Sequence, residues 1–328
     1  MFDAKKHIEQ QVEEAKRVLG GKRALTAVSG GVDSAVATVI ASRAIGEDLL
    51  AVTVDTGYMR YVTSEKVPES PYVTKLLQGL GVNIQLENAQ DEFYEALKGI
   101  TEPERKRKIV GAKFIDVFQR AAKTFGNAEY LVQGTIAPDW IESGGGMRDT
   151  IKSHHNVGGL PEKMGLKLFE PNRELYKDEV RKVAQELGLP REIYRRQPFP
   201  GPGLAIRILG APPTKENAEV ARVADWIWCQ HIDKAIQSGQ IPDTEAQYFA
   251  AYAPNWPVVG VHGDVRSYSG LALLRYITTL DYMSAAFGKL PWDVVENASI
   301  QITNQLKDNV TGCVYDVSHK PPRTIEFE

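Results

Sequence analysis

A chain of 328 residues, 43% hydrophobic and 25% charged, has the apolar content for packed cores in about two domains, which excludes a disordered protein. Its formal net charge of −3 offers no bulk basic field for nucleic acid, and no apolar run reaches the roughly 18 residues of a membrane span. Its two cysteines, Cys229 and Cys313, form no C-x-x-C metal or redox motif; a reduced, cytoplasmic setting is expected, with a lone disulfide as the alternative.

Ile8, Val12, Ala15 and Leu19 recur at helical spacing among charges. They predict an amphipathic helix, not a signal peptide, ended by Gly20 and Gly21. "RALTAV" (23–28) predicts a buried strand and "SAVATVIASRAIG" the helix after it. "LLAVTVD" (49–55), "VNIQLEN" (82–88) and "YLVQG" (130–134) predict three more strands. Between them lie helical patterns around Val73 to Leu80 and from about Asp91 to Phe125. This alternation predicts an α/β fold, a parallel sheet with helices on both faces. Residues 140–166 are rich in glycine and polar side chains and have no period, which points to a lid or binding loop, or else to a solvated excursion. "KDEVRKVAQELGLP" (177–190) predicts a helix stopped by Gly188 and Pro190. "RRQPFPGPGLA" (195–205) marks either a domain boundary or the rigid wall of a site. Beyond it the pattern is α+β, so domains are expected at 1–203 and 204–328.

The most chemical stretch is "AVSGGVDSAV" (27–36). A glycine-rich turn between a strand and a helix is the geometry of an anion site. Gly30 and Gly31 permit positive φ, backbone N–H groups turn inward, and a helix beginning near Ser34 adds its positive end. Asp33 would repel a bare phosphate, but it fits as a ligand to a Mg²⁺ that the phosphates share. A lysine-bearing P-loop is excluded because Asp33 precedes Ser34. The bland alternative is a turn in which Asp33 caps the helix. "ERKRK" (104–108) reads as a solvated helix face, with Lys106 or Lys108 reaching phosphate as the other option. In the 140–166 loop, His154 and His155 are adjacent, a poor spacing for chelating one metal. With Lys152 they are better placed to neutralise phosphate charge on closure.

"SGGxDS" after the first strand resembles the pyrophosphate loop of the N-type ATP pyrophosphatases. Within that superfamily, "TVDTGYMR" (53–60), "ERKRKIVG" (104–111), "QGTIAPDWIES" (133–143) and "IKSHHNVGGLP" (151–161) are similar to GMP synthetases. So are "QPFPGPGLAIRILG" (197–210), "GVHGDVRSYSG" (260–270) and "SHKPPRTIEFE" (318–328), in the same order over nearly the whole chain. The resemblance implies an adenine nucleotide α-hydrolase-like domain followed by an α+β domain for dimerisation and XMP binding. It implies attack of the XMP 2-oxo group on the α-phosphorus of ATP, release of pyrophosphate, and displacement of AMP by ammonia.

Carried over residue by residue, Ser29, Gly30, Gly31, Val32, Asp33 and Ser34 hold the pyrophosphate, and Asp33 holds Mg²⁺. Val54 belongs to the adenine contact, and Gln133, Gly134 and Thr135 lie on the same strand-end edge. Asp139 is a second metal candidate, an Asx-type turn after Pro138 remaining equally open. Lys152, His154 and His155 join Asp33 in the catalytic set. Pro200, Gly201, Pro202 and Gly203 resemble the XMP loop, completed by Arg266, Lys320, Ile325 and Glu326. No cysteine sits on a glycine-flanked strained turn, so the glutaminase is expected on a separate subunit, as in archaea. A homodimer is expected; nucleic acid and membrane are not. The alternatives are another N-type ATP pyrophosphatase, such as NAD synthetase or a tRNA-modifying adenylase, or a nucleotide-binding module without turnover.

Overall fold

A computed structural model describes residues 2–142, 165–262, 265–279 and 283–328. The chain divides into two units, one of Met1–Thr56, Glu69–Ala89 and Gly111–Arg196, the other of Gly57–Pro68, Gln90–Val110 and Gln197–Glu328. The last passage between the units falls at Arg196 and Gln197, a few residues before the expected domain boundary after residue 203, and two earlier excursions join the second unit. Long-range bonds explain those excursions. Tyr58 donates its hydroxyl to Pro213 O at 2.6 Å, and Lys106 Nζ donates to Ile208 O at 2.6 Å.

The first unit contains α1 (Ala4–Leu19), β1 (Arg23–Ala27), α2 (Val32–Ile45), β2 (Leu49–Asp55), α3 (Glu69–Gly79) and β3 (Ile84–Asn88). After these come α4 (Pro103–Phe125), whose residues from Gly111 onward belong here, β4 (Ala128–Val132), α5 (Ala137–Glu142), β5 (Lys167–Phe169), α6 (Lys177–Glu186) and α7 (Arg191–Tyr194). Asp3 starts α1 by accepting Lys6 N–H at 3.0 Å. The five strands pair in the order β3-β2-β1-β4-β5, all parallel. Ala24 and Thr26 face α2, where Thr26 Oγ1 meets Thr38 Oγ1 at 3.2 Å. Leu25, Leu50, Val52 and Leu131 alternate to the opposite face and are no more than 5% exposed, so the sheet is covered on both sides. Val36, Val39 and Ile40 of α2 pack with Val180, Val183 and Leu187, each such side chain stabilising by about 1.5–3 kcal/mol.

The helix expected over 91–125 is broken into Gln90–Ala96 and α4. Pro103 has no N–H to continue a helix, and Glu102 instead caps α4 by accepting Glu104 N–H at 2.9 Å and Arg105 N–H at 2.7 Å. The chain steps outward from β1 to β2 and β3, then crosses to β4 and β5 on the other side. The carboxyl ends of β1 and β4 therefore flank the point where strand order reverses, the usual ligand crevice of an open parallel sheet.

The second unit is built on a long antiparallel hairpin, β6 (Ala246–His262) and β7 (Val265–Thr278). On the other edge of β7 lie β8 (Ala286–Phe287), antiparallel, and β9 (Val310–Asp316), parallel. The helices α8 (Lys215–Gln237) and α9 (Trp292–Gln305) accompany this sheet, and the fully buried Trp228 of α8 donates to Arg275 O at 3.0 Å. Cys229 and Cys313 are free thiols, which removes the disulfide alternative. Among the described residues no helix is long and apolar enough to cross a membrane.

Candidate functional site

Strand pairing holds the chain up to the loop: Val28 N–H donates to Val52 O at 2.9 Å. Gly30 then turns with φ +78, as its freedom predicts. Gly31 departs from the same expectation; it sits at φ −72 and ψ 150 as the N-cap of α2. The helix starts at Val32 rather than near Ser34, so Asp33 lies inside its first turn, and no side chain caps it. The capping role for Asp33 is thereby excluded. The serines stitch the loop, with Ser34 Oγ donating to Gly31 O at 3.0 Å and Ser29 Oγ lying 3.3 Å from Ser34 Oγ. The first N–H groups of a helix have no intrahelical acceptor, so α2 presents its positive end here.

Long-range contacts fix Asp33. A Cβ on Gly134 would stand 2.5 Å from Asp33 C and 2.7 Å from Ser34 N, so only glycine lets the segment after β4 lie against the loop. Asn172, fully buried, donates from Nδ2 to Asp33 O at 2.9 Å. Lys177 Nζ lies 2.6 Å from Asp33 Oδ2. Gln133, Gly134 and Thr135 follow β4, which ends at Val132. Gln133 N–H donates to Phe169 O at 3.0 Å, and Thr135 Oγ1 donates to Glu170 Oε1 at 2.5 Å. Val54 is buried at the end of β2, adjacent to β1. The expected ATP residues therefore share one edge of three neighbouring strands.

Among the described residues Asp33 Oδ1 is buried with no hydrogen-bond partner, as is Asn172 Oδ1. A buried acceptor without a donor is costly, and hard oxygens of this kind suit Mg²⁺. Among the described residues no group of three or more His, Cys, Asp or Glu gathers to cage a metal. The donor set thus fits an ion held by Asp33 together with phosphate oxygens. Asp139 is exposed, and its Oδ2 accepts Ile136 N–H at 3.1 Å, three residues back at the start of α5, a helix-start bond and not the Asx-type turn of the competing reading. Lys152, His154 and His155 lie outside the described residues.

In the second unit, Pro200 to Gly203 form a tight turn, Gly203 N–H donating to Pro200 O at 2.8 Å. Gly203 takes φ +62, and a Cβ there would meet Tyr58 O at 2.4 Å. The guanidinium groups of Arg60 and Arg207 lie 4.9 and 5.0 Å from the centroid of the Phe199 ring. Arg207 is fully buried and bonds Asp225 Oδ1 at 3.2 Å, Glu326 Oε1 at 2.9 Å and Glu326 Oε2 at 3.1 Å. The Glu326 carboxylate, expected to accept from a purine, is thus already shared with Arg207. Lys106 is the exception to the solvated-face reading of "ERKRK", in which Glu104, Arg105 and Lys108 are exposed: it is fully buried, with Glu328 Oε2 at 2.6 Å. Burial pushes the Lys106 ammonium down from its ordinary range, while Glu328 pulls it back. Glu328 Oε1 also accepts Gly210 N–H at 2.7 Å, so residues 326 and 328 clamp the stretch from Arg207 to Gly210. Ile325 is half-buried in this tail, and Lys320 pairs by backbone with Ala285. Arg266 is exposed beside the hairpin turn, opposite Val261. Nine residues of strand, about 30 Å at 3.3 Å each, separate it from Arg275, which holds Thr324 O at 2.9 Å.

Sequence reasoning missed Asn172, Lys177, Arg207 and the buried pair of Glu69 with Arg196. One of these carried a local signal. A lysine at the first position of α6 faces the positive end of its own helix, the unfavourable end for a cation, and Asp33 explains it.

Residues 234–327 match the family model described as GMP synthase C terminal domain. The chain is 48% identical over 328 residues, all of both chains, to a protein of Methanopyrus kandleri named as one subunit of GMP synthase (glutamine-hydrolyzing). It is 48% identical over 321 residues to GMP synthase (glutamine-hydrolyzing) of Clostridium botulinum, covering 98% of this chain and 60% of that protein. Among solved structures, NMN synthetase from Francisella tularensis aligns over 74% of this chain and 90% of its own, with 15% identity and a TM-score of 0.46.

Proposed function

The chain belongs to the GMP synthase (glutamine-hydrolyzing) family, in the form carried on a subunit of its own, and from that premise we propose that it aminates XMP to GMP at the expense of ATP. The observation that carries the reading is the 48% identity to such a subunit over all 328 residues. The 2-oxo oxygen of XMP attacks the α-phosphorus of ATP, pyrophosphate departs, and ammonia then displaces AMP from the adenylated purine. Such a transfer needs positioning and charge neutralisation more than covalent help. The loop from Ser29 to Ser34 and the positive end of α2 receive the pyrophosphate, Val54 and Gln133 to Thr135 the nucleotide. Mg²⁺ held through Asp33 supplies neutralising charge on the phosphates. Lys152, His154 and His155 are the further cations of the catalytic set. Pro200 to Gly203, Lys320, Ile325 and Glu326 hold XMP. Ammonia comes from a separate glutaminase, a partner supported by the naming of the Methanopyrus relative as one subunit of a glutamine-hydrolyzing enzyme.

A homodimer belongs to the same proposal. Val259, Val261 and Tyr268 are 58%, 70% and 66% exposed. Val259 pairs directly with Tyr268 in the hairpin, so the three share one face of it, an apolar patch suited to a second copy. Its length of strand from the tail gives Arg266 a role only in the XMP site of such a neighbour.

The test is to incubate the purified chain with ATP, Mg²⁺, ammonium and a panel of purine and pyridine nucleotides. XMP-dependent AMP and GMP are expected, rising with pH as ammonium becomes ammonia, and glutamine alone should not replace ammonium. AMP released only with a pyridine nucleotide would assign another amidating reaction, and ATP binding without turnover a non-catalytic module.

A further inference from the structure

Glu69 opens α3 and Arg196 ends the first unit, yet the two form a forked ion pair: Nε to Oε1 at 2.5 Å and Nη2 to Oε2 at 2.8 Å. Their side chains are 7% and 9% exposed. Taking two charges out of water is expensive, and such a pair is weak evidence for stability on its own. Its location suggests a different use. A Cβ on Gly30 would lie 3.6 Å from both Arg196 Cζ and Glu69 Cδ, and one on Gly31 would lie 3.7 Å from Arg196 Nη1. The guanidinium therefore lies beside both glycines of the loop, near enough that a Cβ added at either would touch it at ordinary contact distance.

We propose that Arg196 is an additional electrostatic element of this loop: its charge acts across the Gly30–Gly31 backbone on a bound polyphosphate, and Glu69 both fixes the guanidinium and offsets part of that charge. The proposal rests on the loop being the pyrophosphate site. One layer of backbone places the guanidinium on the order of 7 Å from a bound phosphate. At that range a unit charge changes affinity by about threefold with the screening of bulk water and by roughly fiftyfold at the dielectric typical near a protein surface; with Glu69 offsetting part of the charge, about three- to tenfold is expected. Asp33 is already balanced by Lys177 at 2.6 Å, so the Arg196–Glu69 pair is a separate lever on the potential of the loop.

The two halves of the pair make opposite predictions. Titrating pyrophosphate into the folded chain by calorimetry, Arg196→Met should weaken binding about three- to tenfold, and Glu69→Gln should tighten it by a similar factor. Arg196→Lys, which keeps the charge and loses the fork, should fall between wild type and Arg196→Met. A brace with only a structural role gives the same sign for both halves, since removing either partner frees the loop. Weakening by both variants, or no change in either, overturns the proposal. Thermal unfolding of each variant reports folding. Should Arg196→Met fail to fold, the isosteric Glu69→Gln decides alone, and unchanged or weaker pyrophosphate binding rejects the idea. A wild-type chain that binds neither pyrophosphate nor ATP overturns the nucleotide reading as well. Wild-type binding with same-sign variants overturns this inference only.

Discussion

Gly134→Ala tests how Asp33, the proposed catalytic carboxylate, is positioned. The new methyl would stand 2.5 Å from Asp33 C, 2.6 Å from Asp33 O and 2.7 Å from Ser34 N, whereas ordinary contact begins at 3.4 Å. The shortfall to Asp33 C is 3.4 − 2.5 = 0.9 Å, and every clashing atom is backbone, so no rotamer relieves it. Either the segment after β4 or the first turn of α2 must move by nearly that distance. Overpacking of this kind costs about 1–3 kcal/mol of stability. A misplacement of about 1 Å at a reacting site costs roughly 10²-fold in rate. The expected result is therefore a loss in XMP-dependent AMP release far larger than the drop in Tm would suggest. Gly111→Ala is the control: it lies in α4 with nothing within 4 Å of the added carbon, and should gain up to about 1 kcal/mol without losing activity. A Gly134→Ala chain with kcat/KM within twofold of wild type would refute the idea that this close approach places Asp33.

Asp33→Asn should lower turnover on the order of 10²-fold or more while leaving Tm within a few degrees, because the amide is a poorer partner for both Lys177 and a hard cation; near-normal AMP production argues against the role. Among the described residues Glu328→Ala leaves the fully buried Lys106 ammonium with Ile208 O as its hydrogen-bond acceptor and should cost about 3 kcal/mol in urea unfolding, much of it recovered in a Lys106→Met, Glu328→Gln double variant; additive losses would show that the two residues do not interact. His7 is held below its ordinary 6.5 by burial, with Glu179 and Glu174 pulling it back up. The folded chain thus binds fewer protons than the unfolded one, so stability present above about pH 6.5 should be lost as pH falls through the lower folded value, and His7→Gln should flatten that slope in Tm; an unaltered slope assigns the acid sensitivity elsewhere.

What sequence could and could not reveal follows the range of the interactions. The turn from Ser29 to Ser34 was legible because strand, glycines and helix lie within a dozen residues, and the parallel sheet followed from alternation. The break before Pro103 was obscured by helical patterning on both sides of it. Lys106 looked solvated because its four neighbours in "ERKRK" are charged; its partner Glu328 is 222 positions away, beyond any local pattern. Asn172, Lys177 and the Glu69–Arg196 pair were hidden for the same reason. Their roles come from side chains meeting across the unit, 139, 144 and 127 positions apart.

The division of the chain has a consequence for how it is made. It passes from one unit to the other five times, after Thr56, Pro68, Ala89, Val110 and Arg196. During synthesis the first unit has all its residues once Arg196 has emerged. The second cannot close until the final third is available: Arg60 needs Asp225, and Lys106 needs Glu328. Between those moments the nascent chain carries two cations, destined for burial, without their carboxylates. Such late, distant closure slows folding and lengthens the exposure of unfinished surface. The order of assembly is then built into the connectivity, with the part that carries the glycine-rich loop able to form before the part that carries the C-terminal clamp.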